Sequence, residues 1–231
     1  RVMRLPLASD EIAALERRTE GWVAGLQLAA LSMQKSADVS KFVRTFAGSS
    51  RFILDYLIEE VFEKQSPEVK EFLLKSSILE QLSGSLCDAV VEKTTSQELL
   101  TALEQTNLFI VPLDHSRVWY RYHRLFAELL RYRLRVAYPY LEIDLHHRAG
   151  LWYEDHGMPS DAIRHTLLAQ DWERAANMVQ SASTAFLKRG EVLTVVGWFH
   201  ALPEEILVSN PQLCLNYCWP MLLSGQYDVV A

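Results

Sequence analysis

The sequence predicts a mainly α fold, in which a winged-helix domain with one β-hairpin is followed by a tetratricopeptide-like helical array. Three observations predict it. Apolar residues recur at three- and four-residue steps through nearly every segment, the period of an amphipathic helix. The stretch 108–122 breaks that pattern, with strand formers on either side of the turn-like Asp114-His115-Ser116. Beyond Pro139, the glycines Gly157, Gly190 and Gly225 are spaced by about 34 residues, the period of tetratricopeptide-like helix pairs.

The elements follow in order. Ser9 is placed to cap a helix over 10–18, with Asp10 and Glu11 in the first turn where the helix dipole favours acids. Trp22, Leu26, Ala29, Ala30 and Met33 form a second helical stripe. Ile53, Leu57 and Val61 form a third, with Glu59, Glu60 and Glu63 away from it. Ser66-Pro67 joins a capping hydroxyl to a proline suited to the first helical position, and opens a helix carrying Val69, Phe72, Leu73 and Leu74. Short helices fit 86–91 and 97–105, the second with Ser96 as its cap. The hairpin comes next, and Pro112 puts its strand at a sheet edge because proline has no N–H for a ladder. Helix then resumes at once, with Leu125, Leu129, Tyr132 and Val136 on one face. Three helices and a hairpin make a winged helix, here with a further helix directly after the wing.

The helical array repeats itself. A bulky residue (Tyr153, Phe186, Met221) stands one turn before each spaced glycine. A small or β-branched pair (Ala162-Ile163, Val195-Val196, Val230-Ala231) follows each one. Glycine permits the tight turn, and small residues let the second helix pack closely. The expected organisation is therefore a helical segment over 1–48, the winged helix over 49–137, and an arm with the first repeats over 138–231.

Composition excludes several classes. The 231 residues are 49% hydrophobic and 23% charged, the balance of an ordinary globular chain. A net charge of −6 argues against a wholesale nucleic-acid coat. Three cysteines make no disulfide framework and suit a cytoplasmic protein. The apolar runs 23–31 and 217–223 fall short of the roughly 18 residues that span a bilayer. The chain starts at Arg1 without an initiator Met and stops at Ala231 in a helical pattern, which predicts a piece of a longer protein.

Catalytic motifs are missing. There is no phosphate loop, dinucleotide fingerprint or nucleophile elbow. Ser32-Met33-Gln34-Lys35 lacks the companion motifs that would make its Ser-x-x-Lys pattern catalytic. Cys214 and Cys218 share a helical face but have no second ligand pair for zinc, so they read as buried helix cysteines. His146, His147 and His156 read as solvated or capping residues. No enzyme is expected in this stretch. Basic residues do gather at Arg117, Arg121, Arg124, Arg131, Arg133 and Arg135, against Glu128 alone. Such a cluster grips phosphates, coats a solvated face, or serves an anion within the molecule. A winged helix that reads DNA uses its recognition helix, here 97–105, which carries Glu98 and Glu104 and no Lys or Arg.

Several runs resemble one family. Gly21-Trp22-Val23-Ala24-Gly25-Leu26-Gln27-Leu28-Ala29, Trp119-Tyr120-Arg121-Tyr122-His123-Arg124-Leu125-Phe126, Trp152-Tyr153-Glu154-Asp155-His156-Gly157 and Asp171-Trp172-Glu173-Arg174-Ala175-Ala176 are similar to MalT-type ATP-dependent regulators of the LuxR group, which are signal-transduction ATPases with numerous domains. The resemblance covers essentially the whole chain. It implies the tail of a helical domain, a winged helix, an arm and the first repeats, with the nucleotide-binding domain upstream and a helix-turn-helix domain downstream. It implies a slow ATPase switch: ADP holds the resting form, while ATP and an inducer permit self-association and transcription activation at promoter DNA. His123 matches the winged-helix histidine that approaches the β-phosphate of ADP. Gly25-Leu26-Gln27-Leu28-Ala29 matches a Gly-Leu-Pro-Leu-Ala segment that packs near the adenine, with Gln27 in the proline position. Arg121 joins His123 and Gln27 as a cofactor-binding candidate by neighbourhood. The expected function is a central switch or relay. The alternatives are a directly DNA-binding winged helix and a nucleotide-independent helical scaffold.

Overall fold

The structure, a computed structural model, describes residues 8–19, 26, 33, 57–106 and 109–224. It divides into two compact units, Arg1–Pro139 and Tyr140–Ala231. The first holds α1 (Ser9–Thr19), a π-helix (Leu57–Phe62), α2 (Pro67–Ser76), α3 (Gly84–Val91), α4 (Ser96–Gln105), β1 (Ile110–Pro112), β2 (Tyr120–Tyr122) and α5 (Arg124–Ala137).

Local chemistry sets the helix starts. The Ser66 hydroxyl accepts the Val69 N–H at 3.3 Å, with Pro67 in the first turn. Ser83 does the same for Leu86 at 3.4 Å. Ser96, expected as a cap, instead lies inside α4, and Thr95 takes the cap position without a side-chain bond. The reason is a longer-range acceptor: the Asp88 carboxylate from α3 takes the Ser96 N–H at 3.0 Å. The stripe through Leu57 and Val61 is also wound differently from the α-helix expected. Glu63 N–H donates five residues back to the Ile58 carbonyl at 2.8 Å, which opens a π-turn. Ile53 and the stripe at Trp22 and Ala29 lie outside the described residues.

The hairpin pairs antiparallel, with Ile110 opposite Tyr122, Val111 opposite Arg121 and Pro112 opposite Tyr120. Leu82 bridges the other side of Tyr120, so β2 is central and β1, with its proline, is the edge. Tyr120 and Tyr122 turn into the core, whereas Arg121 is half-buried on the opposite face. Ser76 Oγ donates to the Phe72 carbonyl at 2.6 Å, so its single proton is committed. The 2.7 Å contact with Tyr122 therefore has the tyrosine as donor. Along α5, Leu125 and Leu129 are buried as expected, but Tyr132 and Val136 on the same face are exposed. That face is covered only along the first half of the helix. The burial that continues to the end follows Phe126, Leu130 and Leu134.

The second unit holds α6 (Leu141–Asp155), α7 (Pro159–Leu168), α8 (Trp172–Lys188), α9 (Val192–Ala201), α10 (Glu204–Ser209) and α11 (Pro211–Ser224). Gly157 (φ 67°) and Gly190 (φ 80°) sit in the left-handed region after α6 and α8, where a side chain would be strained. Tyr153, Phe186 and Met221, and the pairs Ala162-Ile163 and Val195-Val196, are all buried. Gly225 and Val230-Ala231 fall outside the described residues. Ile163, Val179, Phe186, Val195, Phe199 and Leu213 meet in one core. Among the described residues no helix is long and apolar enough to cross a membrane.

The two inward tyrosines should respond differently to loss of the hydroxyl. Tyr120 Oη is buried and has no hydrogen-bond partner among the described residues. Tyr120→Phe should therefore be neutral or raise unfolding stability in urea by about 1 kcal/mol, because no bond is lost. Tyr122→Phe removes the bond to Ser76 and should cost about 1 kcal/mol.

Candidate functional site

The junction between β2 and α5 is built by one residue. His123 holds the N-cap position of α5, with φ −57° and ψ 135°, and its side chain makes no capping bond. Its backbone is fixed at both ends: the N–H donates to the Phe109 carbonyl at 2.7 Å, and its carbonyl accepts the Ala127 N–H at 2.9 Å. The ring is buried and meets Phe109 edge-on at 5.9 Å. Phe109 itself has φ 53° and packs on Phe126 at 5.4 Å. A polar imidazole thus lies against an aromatic wall beside the first turn of a helix whose dipole favours negative charge.

The six clustered arginines divide. Arg121, Arg124 and Arg131 line one cavity of about 280 Å³, together with Leu79, Glu80, Tyr122 and Glu128. Arg131 donates to the Ser77 carbonyl at 2.8 Å, and Arg121 to the Tyr122 carbonyl at 3.3 Å. Arg124 pairs with Glu128 at 3.2 Å. The others have separate roles. Arg117 pairs with Glu104 at 3.0 Å, Arg133 with Glu63 at 2.9 Å, and Arg135 is exposed. Arg121 and His123 are close in sequence, but His123 does not line the cavity. Gln27 lies outside the described residues. Glu80 had no signal in the sequence, because it sits in an irregular loop with no period to mark it.

In the second unit His146 departs from the solvated or capping role expected of it. His146 is buried, not solvated, and its Nδ1 lies 2.8 Å from Nδ1 of the fully buried His165. Arg164 Nη2, which can only donate, is 3.1 Å from His165 Nε2. His165 must therefore carry its proton on Nδ1 and donate to His146. Burial first, then the charge of Arg164 and the neighbouring His146, lower the His165 pKa to about 2. His156 does act as expected for a capping residue, bonding the Trp152 carbonyl at 2.7 Å. Cys214 and Cys218 are half-buried, not buried, and the Cys214 thiol donates to the Leu207 carbonyl at 3.2 Å. Among the described residues no group of three or more His, Cys, Asp or Glu is placed to hold a metal ion.

Fold and junction define a class: a winged helix carrying an extra helix after its wing, followed in the chain by antiparallel helix pairs. Residues 58–142 match the family described as the MalT winged helix domain. The chain is 33% identical over 221 residues to the serine/threonine-protein kinase PknK of Mycobacterium tuberculosis, covering 96% of this chain and 20% of that protein. It is 32% identical over 227 residues to the HTH-type transcriptional regulator MalT of Yersinia pestis, covering 97% and 25%, and to that of Yersinia pseudotuberculosis in the same proportions. The chain thus spans a fifth to a quarter of the length of these curated relatives. It is MalT-like, and its residues 58–142 belong to the MalT winged helix domain family.

The buried pair makes stability pH-dependent. His165 stays neutral in the folded state well below 6.5, whereas the unfolded chain binds a proton near that value. The unfolded state then holds more protons, so stability falls as pH drops from 6.5 towards 2, by at most about 1.4 kcal/mol per pH unit for this residue. Urea unfolding of the chain at pH 7.5 and 5 should show the loss, and His165→Gln should flatten the dependence.

Proposed function

We propose that this chain is the nucleotide-responsive relay of a MalT-type transcriptional regulator. It comprises the tail of a helical domain over 1–48, the winged helix over 49–137, and an arm with the first repeats over 138–231. In this reading it couples ADP or ATP bound mainly by a separate nucleotide-binding domain to self-association, to an inducer signal, and to promoter binding by a helix-turn-helix domain. The observation that carries the proposal is His123 at the N-cap position of α5, with the cavity of Arg121, Arg124 and Arg131 nearby.

These residues suit a nucleoside diphosphate. The nucleotide supplies clustered negative charge. Backbone N–H groups at a helix start, an imidazole and guanidinium groups all favour such charge. His123 is restrained by its backbone bonds and by Phe109, so little freedom is lost when it meets an anion. For the chain to act as a relay, ADP must bind the resting conformation better than the active one, since equal affinity shifts no equilibrium. The relatives agree with a shared, output-neutral role. A similar stretch occurs in a protein named as a kinase and in one named as a transcriptional regulator, so neither output need reside in it.

Direct DNA reading has less support. The exposed side chains of α4 include Gln97, Glu98, Ala102 and Gln105, and the helix has no Lys or Arg to meet phosphates. The test uses the full-length regulator. His123→Ala should speed ADP release by about tenfold, equivalent to about 1.4 kcal/mol, and raise transcription without inducer. Arg121→Gln should act in the same direction more weakly. Wild-type ADP retention and basal transcription in both variants, with circular dichroism unchanged, would overturn the proposal.

A further inference from the structure

We infer that the second unit contains a binding pocket for an aromatic anion, formed by one face of α8 and the end of the first helix pair. This inference stands apart from the nucleotide reading. A cavity of about 610 Å³ opens there, within the range of small-molecule sites. Its apolar wall is built from Ile163, Met178, Ala182 and Phe186, which belong to or pack against the unit's core. The cavity exists because α8 presents short side chains to it: Asn177, Ser181 and Ala185 are all exposed and spaced one turn apart. Gly157, in the turn after α6, adds no side chain to fill it, and a Cβ there would meet nothing within 4 Å.

The chemistry of the walls selects the ligand. Phe186 meets Trp198 in a T-shaped contact, with ring centroids 4.6 Å apart, which holds its ring in place at the cavity wall. Aromatic rings stack or meet edge-on with gains of about 0.5–1.5 kcal/mol beyond area burial, and a thioether such as that of Met178 favours an aromatic neighbour. The Arg189 guanidinium lies over the same ring, 4.1 Å from its centroid, at one end of the cavity. Arg174 stands at the other end, tied to Glu154. The lining thus has two guanidinium groups and one carboxylate. Arg189 also pairs with Glu191 at 2.7 Å, but that carboxylate is not in the cavity wall. A flat apolar body against Met178 and Phe186, with a carboxylate, sulfonate or phosphate reaching Arg189, satisfies both features. A neutral aromatic would use only the first, and a polar anion without rings only the second.

The probe is 8-anilinonaphthalene-1-sulfonate, a fluorescent aromatic anion, titrated into the chain at pH 7.5. The expected result is saturable one-to-one binding with enhanced emission. Ala185→Trp fills the cavity from an exposed position and should weaken binding by at least tenfold. Arg189→Gln keeps the size but removes the charge, and should weaken it several-fold. The uncharged N-phenyl-1-naphthylamine should bind more weakly than the sulfonate. Circular dichroism of each variant establishes that the helices are retained, and Ser181→Trp replaces Ala185→Trp if the latter does not fold. Absence of saturable binding, or binding unaltered in both the tryptophan and the glutamine variants, would overturn the site. Equal affinity for the uncharged probe would overturn its assignment to anions.

Discussion

Two backbone hydrogen bonds between Leu82 and Tyr120, each 2.8 Å, fix the position of the hairpin and with it the candidate site. They make β2 the central strand, although only a single bridge forms on that side. Side chains alternate along a strand, so placing Tyr120 inward places Tyr122 inward and Arg121 outward. The next residue, His123, holds the N-cap position of α5. A slip by one residue would bury Arg121 and expose both tyrosines, which the 2.7 Å contact between Tyr122 and Ser76 also opposes. Leu82 serves two purposes, because the residue after it, Ser83, caps α3. One short loop therefore sets both a helix start and a strand register.

Much of this architecture was legible in sequence where the determinant is local. Ser66-Pro67 opens a helix because its hydroxyl and ring act within the same turn, and Pro112 marks an edge because its missing N–H is a property of one residue. Determinants that lie elsewhere in the chain were not legible. Ser96 lost its cap role to Asp88, a carboxylate on another helix. Tyr132 and Val136 keep the period of Leu125 and Leu129, yet periodicity does not say how far along a helix its neighbours extend. The arginine cluster shows the same limit. Sequence gathered six cations, while Glu63 and Glu104 on other elements withdrew Arg133 and Arg117 from any shared site. His123 was accessible only through family resemblance, since an isolated histidine at a strand end carries no pattern of its own.

The second unit shows the opposite case, a buried polar group whose signal was present but unread. His146 follows the buried Leu145 and lies one turn before Ala149 and Gly150, which are also buried. It is thus on the inward stripe of α6. Its partner His165 is nineteen residues away and likewise on the inward stripe of α7. Close approach of these helices depends on Gly150, where a Cβ would stand 2.9 Å from Thr166 Oγ1. The two imidazoles between these helices bond each other at 2.8 Å. Arg164 then selects which tautomer does so. A satisfied polar pair of this kind fixes how α6 lies along α7, because any slide separates the two nitrogens and leaves both buried without compensation.

Charge in the first unit follows a comparable logic of competition. The chain carries a net charge of −6, yet three guanidinium groups converge on one cavity. Net charge governs the far field, which salt screens within about 10 Å at 0.1 M, whereas a cavity responds to the groups in its own wall. Two of those groups, Glu80 and Glu128, are carboxylates. An anion entering the cavity must therefore out-compete Glu128 for Arg124, and the carbonyls of Tyr122 and Ser77 for Arg121 and Arg131. A singly charged ion gains little from such an exchange. On the proposed nucleotide-binding role a polyphosphate would gain more, because several oxygens could engage Arg121, Arg124 and Arg131 together and bidentate contacts strengthen each one.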